Sequence, residues 1–240
     1  MDVQAAVFCR FSFFRSRQLL HQFAIPKGRK GKKTMKNNKL RVLVSCALLL
    51  AVSAVLSIFP KFKFLPNGGS VTFCSMLPII LASYVFGVKQ GLLTAFAFSL
   101  IQLITGFSGS GLGPVAFAVE LLFDYLVAFT VLGLGGMYRK NSDPRRALAL
   151  GSLTATVLRF LSHFISGVVV WGEYAEWFFE NMSSFGENIL SRFSGTALMM
   201  LYSAVYNGSY MIPEIIITTI AAVLIAPFAK TLKDRQESVR

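Results

Sequence analysis

The sequence predicts an all-α integral membrane protein, a bundle of about six transmembrane helices with both termini on one side. Three observations carry this. Hydrophobic residues make up 54% of the chain and charged residues only 15%, against roughly 25% charged in a soluble domain. The charges gather between long apolar runs instead of alternating with them. The basic residues also favour the ends of alternate runs, the pattern of the positive-inside rule.

Residues 1–34 stand apart. They hold eight basic side chains (Arg10, Arg15, Arg17, Lys27, Arg29, Lys30, Lys32, Lys33) and one acid, Asp2. Arginines interrupt the apolar stretches, so no span and no signal-peptide core is expected there. Back-translated, Gly28-Arg29-Lys30-Gly31 resembles a bacterial ribosome-binding site ahead of Met35. Residues 1–34 therefore read either as translated leader or as a disordered cytoplasmic tail, and residues 35–240 as the membrane domain.

The spans follow in order. Residues 42–59 form an apolar run closed by Pro60, about long enough to cross the hydrocarbon core. Residues 76–86 end at Gly87, and Lys89-Gln90-Gly91 connects them to 92–104. Glycine-rich 106–113 precedes 115–137. A basic loop, 139–146, leads to 147–171. A long acidic and aromatic segment, 172–207, holds Trp177, Phe178 and Phe179 and suits an extra amphipathic helix. The last span is expected at 211–229, before Lys230, Lys233 and Arg235. With six spans, the loops rich in Lys and Arg lie inside, and the acidic segment with Glu173, Glu176, Glu180 and Glu187 lies outside. Both termini are then cytoplasmic.

Ionisable residues within spans are costly and usually functional. Glu120 and Asp124 share one face of the fourth span by their i,i+4 spacing, and Arg159 and His163 one face of the fifth. A purely structural reading pairs Arg159 with Glu120 across two helices. A ligand-binding reading adds Tyr125, Trp171 at a span end, and Asn207 among Tyr202, Tyr206 and Tyr210. Carboxylate, imidazole, indole, phenol and amide together suit a flat, cationic, hydrogen-bonding ligand, since aromatic faces and a carboxylate both attract a cation in low dielectric. In the first span Ala47 and Ala51 form an AxxxA pair, a spacing that lets helices approach closely in lipid.

Several classes are set aside. Cys9, Cys46 and Cys74 are dispersed without a CxxC spacing, and two histidines cannot build a His-rich metal cluster. No nucleotide-binding loop, HExxH or GxSxG motif occurs, so neither catalysis nor a cofactor is expected. Much of the +13 net charge belongs to residues 1–34 and most of the remainder to helix ends, so nucleic-acid binding is not expected.

The chain resembles the thiamine-specific substrate-binding (S) component of energy-coupling factor (ECF) transporters over roughly residues 35–235. The resemblance rests on Gly68-Gly69-Ser70-Val71, Met76-Leu77-Pro78-Ile79 and Tyr84-Val85-Phe86-Gly87-Val88-Lys89-Gln90-Gly91. It continues through Asp124-Tyr125-Leu126-Val127-Ala128-Phe129 and Arg159-Phe160-Leu161-Ser162-His163. Trp171-Gly172-Glu173-Tyr174-Ala175 and Tyr202 through Glu214 complete it. It implies a six-helix fold with a thiamine pocket near the outer face. The family's pocket acid and tyrosine match Asp124 and Tyr125, and its histidine and tryptophan match His163 and Trp171, which would stack on the ligand rings. Gly167 would leave room for those rings. Tyr202 and Asn207, ahead of the last helix, match the family's tyrosine and asparagine. The Ala47–Ala51 face would dock on a transmembrane coupling subunit served by two ATPase subunits. Some members carry a tryptophan in the first outer loop; residues 61–75 have none. The implied function is capture of thiamine at the bacterial plasma membrane and its delivery inward. The alternatives are an S component for another vitamin or a thiamine precursor, a membrane enzyme acting on a lipid or isoprenoid, or a structural membrane protein.

Overall fold

The computed structural model describes residues 34–59, 61–63, 69–107, 111 and 113–239. The chain divides into two units, Met1–Asn37 and Asn38–Arg240. The reading of residues 1–34 as leader or tail lies outside the described residues, and the description below concerns the second unit.

Helix α1 is Thr34–Ile58, of which Asn38–Ile58 is long and apolar enough to cross a membrane. A small antiparallel hairpin follows: β1 (Lys61–Lys63) pairs with β2 (Ser70–Thr72), Phe62 opposite Val71. Helix α2 (Leu77–Phe86) opens with Pro78 in its first turn, where a missing N–H costs nothing. It closes at Gly87, whose φ of 102° is open to glycine and lets α3 (Val88–Gly106) begin at once in a new direction. Ten residues give α2 a length of about 15 Å, half of the roughly 30 Å hydrocarbon core. Among the described residues five helices are long enough to span, and α2 is a shorter apolar sixth. Ile79, Ile80 and Ala82 are fully buried, so α2 serves as the core against which longer helices pack.

Helix α4 (Pro114–Gly136) changes character along its length. It is α-helical to Glu120, π-helical over Leu121–Val127, α-helical over Ala128–Thr130 and 3₁₀ over Val131–Gly136. Helix α5 (Pro144–Val169) starts on an Asp143 cap, whose carboxylate accepts the Arg145 N–H at 2.9 Å. It is turned inside out for a soluble helix. Ser152, Thr156, Arg159, Ser162, His163 and Ser166 are buried, while Leu150, Leu153, Leu161, Ile165 and Val169 are exposed. That arrangement suits lipid outside and a polar interior.

At one end of the bundle α4 and α5 approach to backbone contact. A Cβ on Gly151 would sit 2.0 Å from the carbonyl oxygen of Gly135. Gly151→Val is therefore expected to prevent assembly, read as loss of the monodisperse peak on size-exclusion chromatography in detergent; a well-behaved variant would show that the helices can part here.

A one-turn 3₁₀ helix (Gly172–Tyr174) and two short helices, α6 (Ala175–Glu180) and α7 (Ser183–Leu190), cross to α8 (Gly195–Glu237). The extra helix expected in this segment is thus a pair. The last helix corrects the expected boundary: it begins at Gly195, not near residue 211, and runs for 43 residues with Pro213 and Pro227 inside it. Tyr202 and Asn207 consequently lie within the last helix and not ahead of it. At the far end the Gln236 amide donates to Asn38 at 3.0 Å, joining the start of α1 to the end of α8.

Candidate ligand cavity

Opposite that junction, the ends of α1, α3 and α5, the hairpin and the early parts of α4 and α8 surround a cavity of about 190 Å³. All seven residues expected to bind ligand line it: Asp124, Tyr125, His163, Gly167, Trp171, Tyr202 and Asn207.

Asp124 and Tyr125 sit in the π-helical stretch of α4. A π turn inserts a residue into the helical register and commonly marks functional positions. Asp124 accepts three hydrogen bonds. His163 Nδ1 lies 3.0 Å from Oδ1, while Ser166 Oγ donates to Oδ2 at 2.7 Å and Trp171 Nε1 at 3.2 Å. Three donors converging on two oxygens are the surroundings of a carboxylate, an acceptor-only group. The tautomer of His163 follows from its other side, where Arg159 Nε–H donates to His163 Nε2 at 3.3 Å. A guanidinium can only donate, so Nε2 carries a lone pair and the proton resides on Nδ1, pointing at Asp124.

Arg159 completes an ion pair with Glu214 (Nη1 to Oε2, 3.1 Å), both side chains buried. Its guanidinium carbon stands 4.5 Å from the centre of the Phe129 ring. Where the structural reading paired Arg159 with Glu120, the ion pair described here comes from α8, because the long last helix brings Glu214 to the level of Arg159. Glu120 is buried and also lines the cavity. Glu214 in turn accepts from Thr72 twice, from the backbone N–H at 2.6 Å and from Oγ1 at 2.5 Å. The hairpin is held a second time where the Gly69 N–H donates to Tyr206 Oη at 3.1 Å.

The aromatic wall comes from three elements. Trp171 lies 5.8 Å from Tyr174, ring to ring, and Tyr125 donates its hydroxyl to the Gly106 carbonyl at 2.9 Å. Tyr202 and Tyr206 follow one another along α8 at 5.6 Å, both packed on Phe178 of α6. The crossing helices thus support the cavity wall from outside.

Two expectations change in detail. A Cβ on Gly167 would meet Ser203 Oγ at 2.2 Å and Asn207 Nδ2 at 2.7 Å. The glycine lines the cavity, but the room it provides is taken by side chains of α8 and not left for a ligand ring. Asn207 is heavily engaged within the protein. Its amide nitrogen is within hydrogen-bond reach of the His163 and Ser203 carbonyls at 3.3 and 3.0 Å, and its Oδ1 accepts from Tyr210 at 2.7 Å. It ties α5 to α8 at the cavity floor.

Sequence reasoning missed Glu214, Thr72 and Ser166. Glu214 carried a usable signal, a carboxylate inside the apolar run 211–229, which by the cost of intramembrane charge marks a site. On α1, Ala47 and Ala51 are both exposed in the isolated chain, whereas the buried positions of that helix are Cys46, Ser53 and Ser57.

Comparison with known proteins agrees with this picture. The family described as Thiamine transporter protein (Thia_YuaJ) matches residues 43–185. The thiamine transporter ThiT of Bacillus subtilis (strain 168) is 32% identical over 197 residues, covering 76% of this chain and 88% of that protein. ThiT of Lacticaseibacillus paracasei is 26% identical over 153 residues, covering 58% of this chain and 72% of that protein. A solved ThiT structure from Listeria monocytogenes superposes with a TM-score of 0.60 at 20% identity, covering 81% of this chain and 98% of that one, a likeness of fold. With the family matched over more than half its length, this multi-pass helical membrane protein belongs to the thiamine transporter family.

Proposed function

We propose that the cavity binds thiamine and that the chain is the substrate-binding subunit of an ECF-type uptake transporter. The observation that carries the reading is the convergence on one cavity of a carboxylate held by three donors with an aromatic wall. Thiamine presents a permanent thiazolium cation and a hydrogen-bonding aminopyrimidine. Asp124 balances the cation or bonds the aminopyrimidine, and His163 and Trp171 give planar faces for the rings. Tyr125 and Tyr202 close the sides, while Gly167 and Asn207 fix the α5–α8 contact that sets the cavity's depth.

The cavity lies at the end of the bundle away from the start of α1 and the end of α8. With both termini cytoplasmic, as the loop charges favour, it opens to the outside of the bacterial plasma membrane. The chain carries no nucleotide-binding motif, so inward delivery draws on partner chains: a transmembrane coupling subunit seated on the exposed Ala47–Ala51 face and two ATPase subunits. Close helix contact in lipid needs small residues of this kind.

Tryptophan fluorescence tests the location. Trp171 lines the cavity, whereas Trp177 points outward and is 48% exposed. Thiamine is expected to quench the emission of purified protein, Trp177→Phe to keep that response and Trp171→Phe to remove most of it. A response that survives in Trp171→Phe and disappears in Trp177→Phe would move the ligand out of this cavity.

A further inference from the structure

We infer that Glu214 is a positioning residue for the ligand acid: through Arg159 it fixes the tautomer of His163 and so the orientation of Asp124. The inference rests on the thiamine-cavity reading and deepens it. Glu214 Oε2 holds Arg159 Nη1 at 3.1 Å, Arg159 Nε holds His163 Nε2 at 3.3 Å, and His163 Nδ1 holds Asp124 Oδ1 at 3.0 Å. Each link constrains the next. With Nε2 occupied by a donor that cannot accept, the imidazole proton must lie on Nδ1 and face the carboxylate. In the other tautomer a lone pair on Nδ1 would oppose the Asp124 oxygen, and the carboxylate would turn away. A second group orienting the one that touches ligand is the logic by which outer partners tune a site.

Glu214 suits this task because it is a carboxylate and not an amide. Oε2 accepts from Arg159 while Oε1 accepts from Thr72 N–H and Oγ1, so donors face both oxygens. A glutamine would place its NH₂ against one set of those donors. The same residue thus joins the cavity acid to the β1–β2 hairpin, since Thr72 belongs to β2 and its Oγ1 lies 2.6 Å from Ser75 Oγ.

The test reads the tautomer directly. The chain has two histidines, His21 and His163, so ¹⁵N-imidazole spectra of ligand-free protein in a His21→Asn background report His163 alone. The expected signature is a protonated Nδ1 and a lone-pair Nε2. In Glu214→Gln it is expected to give way to a mixed or Nε2-protonated imidazole, with thiamine affinity ten- to a hundred-fold weaker. Glu214→Asp is expected to recover much of both. Should Glu214→Gln fail to fold, Arg159→Met removes the donor to Nε2 and is expected to shift the tautomer alike. An unchanged Nδ1–H signature in the folded variant, or affinity loss without any tautomer change, would overturn the inference. Because the spectrum needs no ligand, a tautomer shift in a protein that never binds thiamine would uphold the positioning role and reject the ligand instead.

Discussion

Asp124→Asn is expected to weaken thiamine binding by about 30-fold to several thousand-fold, with the protein still folded. Removing one partner of a desolvated charge pair typically costs about 2–5 kcal/mol, and roughly 1.4 kcal/mol is a factor of ten. The asparagine keeps the volume but loses the charge, and its NH₂ must face one of three donors, His163, Ser166 or Trp171, that now point at the carboxylate. Isothermal titration calorimetry of the detergent-purified variant measures the loss. An uncharged analogue lacking the thiazolium separates the two roles open to Asp124. If its binding falls little, Asp124 balances the cation; if it falls equally, Asp124 bonds the aminopyrimidine. Affinity unchanged in a folded variant would remove Asp124 from the site.

Arg159→Met is expected to destabilise the protein by about 3–5 kcal/mol, the usual cost of leaving one buried member of an ion pair without its partner. Glu214 would remain buried at the cavity with Thr72 as its remaining donor among the described residues. The double variant Arg159→Met/Glu214→Leu is expected to regain much of that stability, because an apolar pair of similar volume often equals a buried ion pair. Thermal unfolding in detergent, followed by circular dichroism, checks both. A single variant as stable as the parent would show that the pair is hydrated and that Arg159 is not held as described. The double variant should still bind poorly, since it leaves His163 Nε2 without a donor; stability and binding would then separate.

The helical bundle was legible because lipid leaves a chain few options: every backbone group in hydrocarbon must be satisfied internally, so long apolar runs become helices. The same rule explains where the reading erred. Residues 202–210 look like a polar connector, with Tyr202, Asn207 and Ser209 close together, yet they are helical: Tyr202 and Asn207 turn into the cavity, and the exposed Ser209 donates its hydroxyl to the Tyr206 carbonyl one turn back. Hydropathy averages over faces and cannot see that. The shortness of α2, by contrast, was legible, because the apolar run 76–86 closed by Gly87 differs from the ten-residue helix Leu77–Phe86 by a single residue.

At the cavity, residue types were legible and partnerships were not. Asp124, His163 and Trp171 were readable as a ligand set from chemistry and resemblance, and they do converge. That Arg159 turns to Glu214 depends on how far α8 extends, which no local pattern encodes. Gly167 illustrates the same limit. Its small size is visible in sequence, but whether the space serves a ligand or a neighbouring helix depends on Ser203 and Asn207 lying opposite.

The most direct test is the structure of the protein bound to thiamine. The account predicts the ligand between α4, α5 and α8, one ring against Trp171 and His163, a polar or cationic portion on Asp124, and the Arg159–Glu214 pair intact beneath it. Thiamine bound elsewhere on the chain, or in this cavity without contact to Asp124, would contradict it.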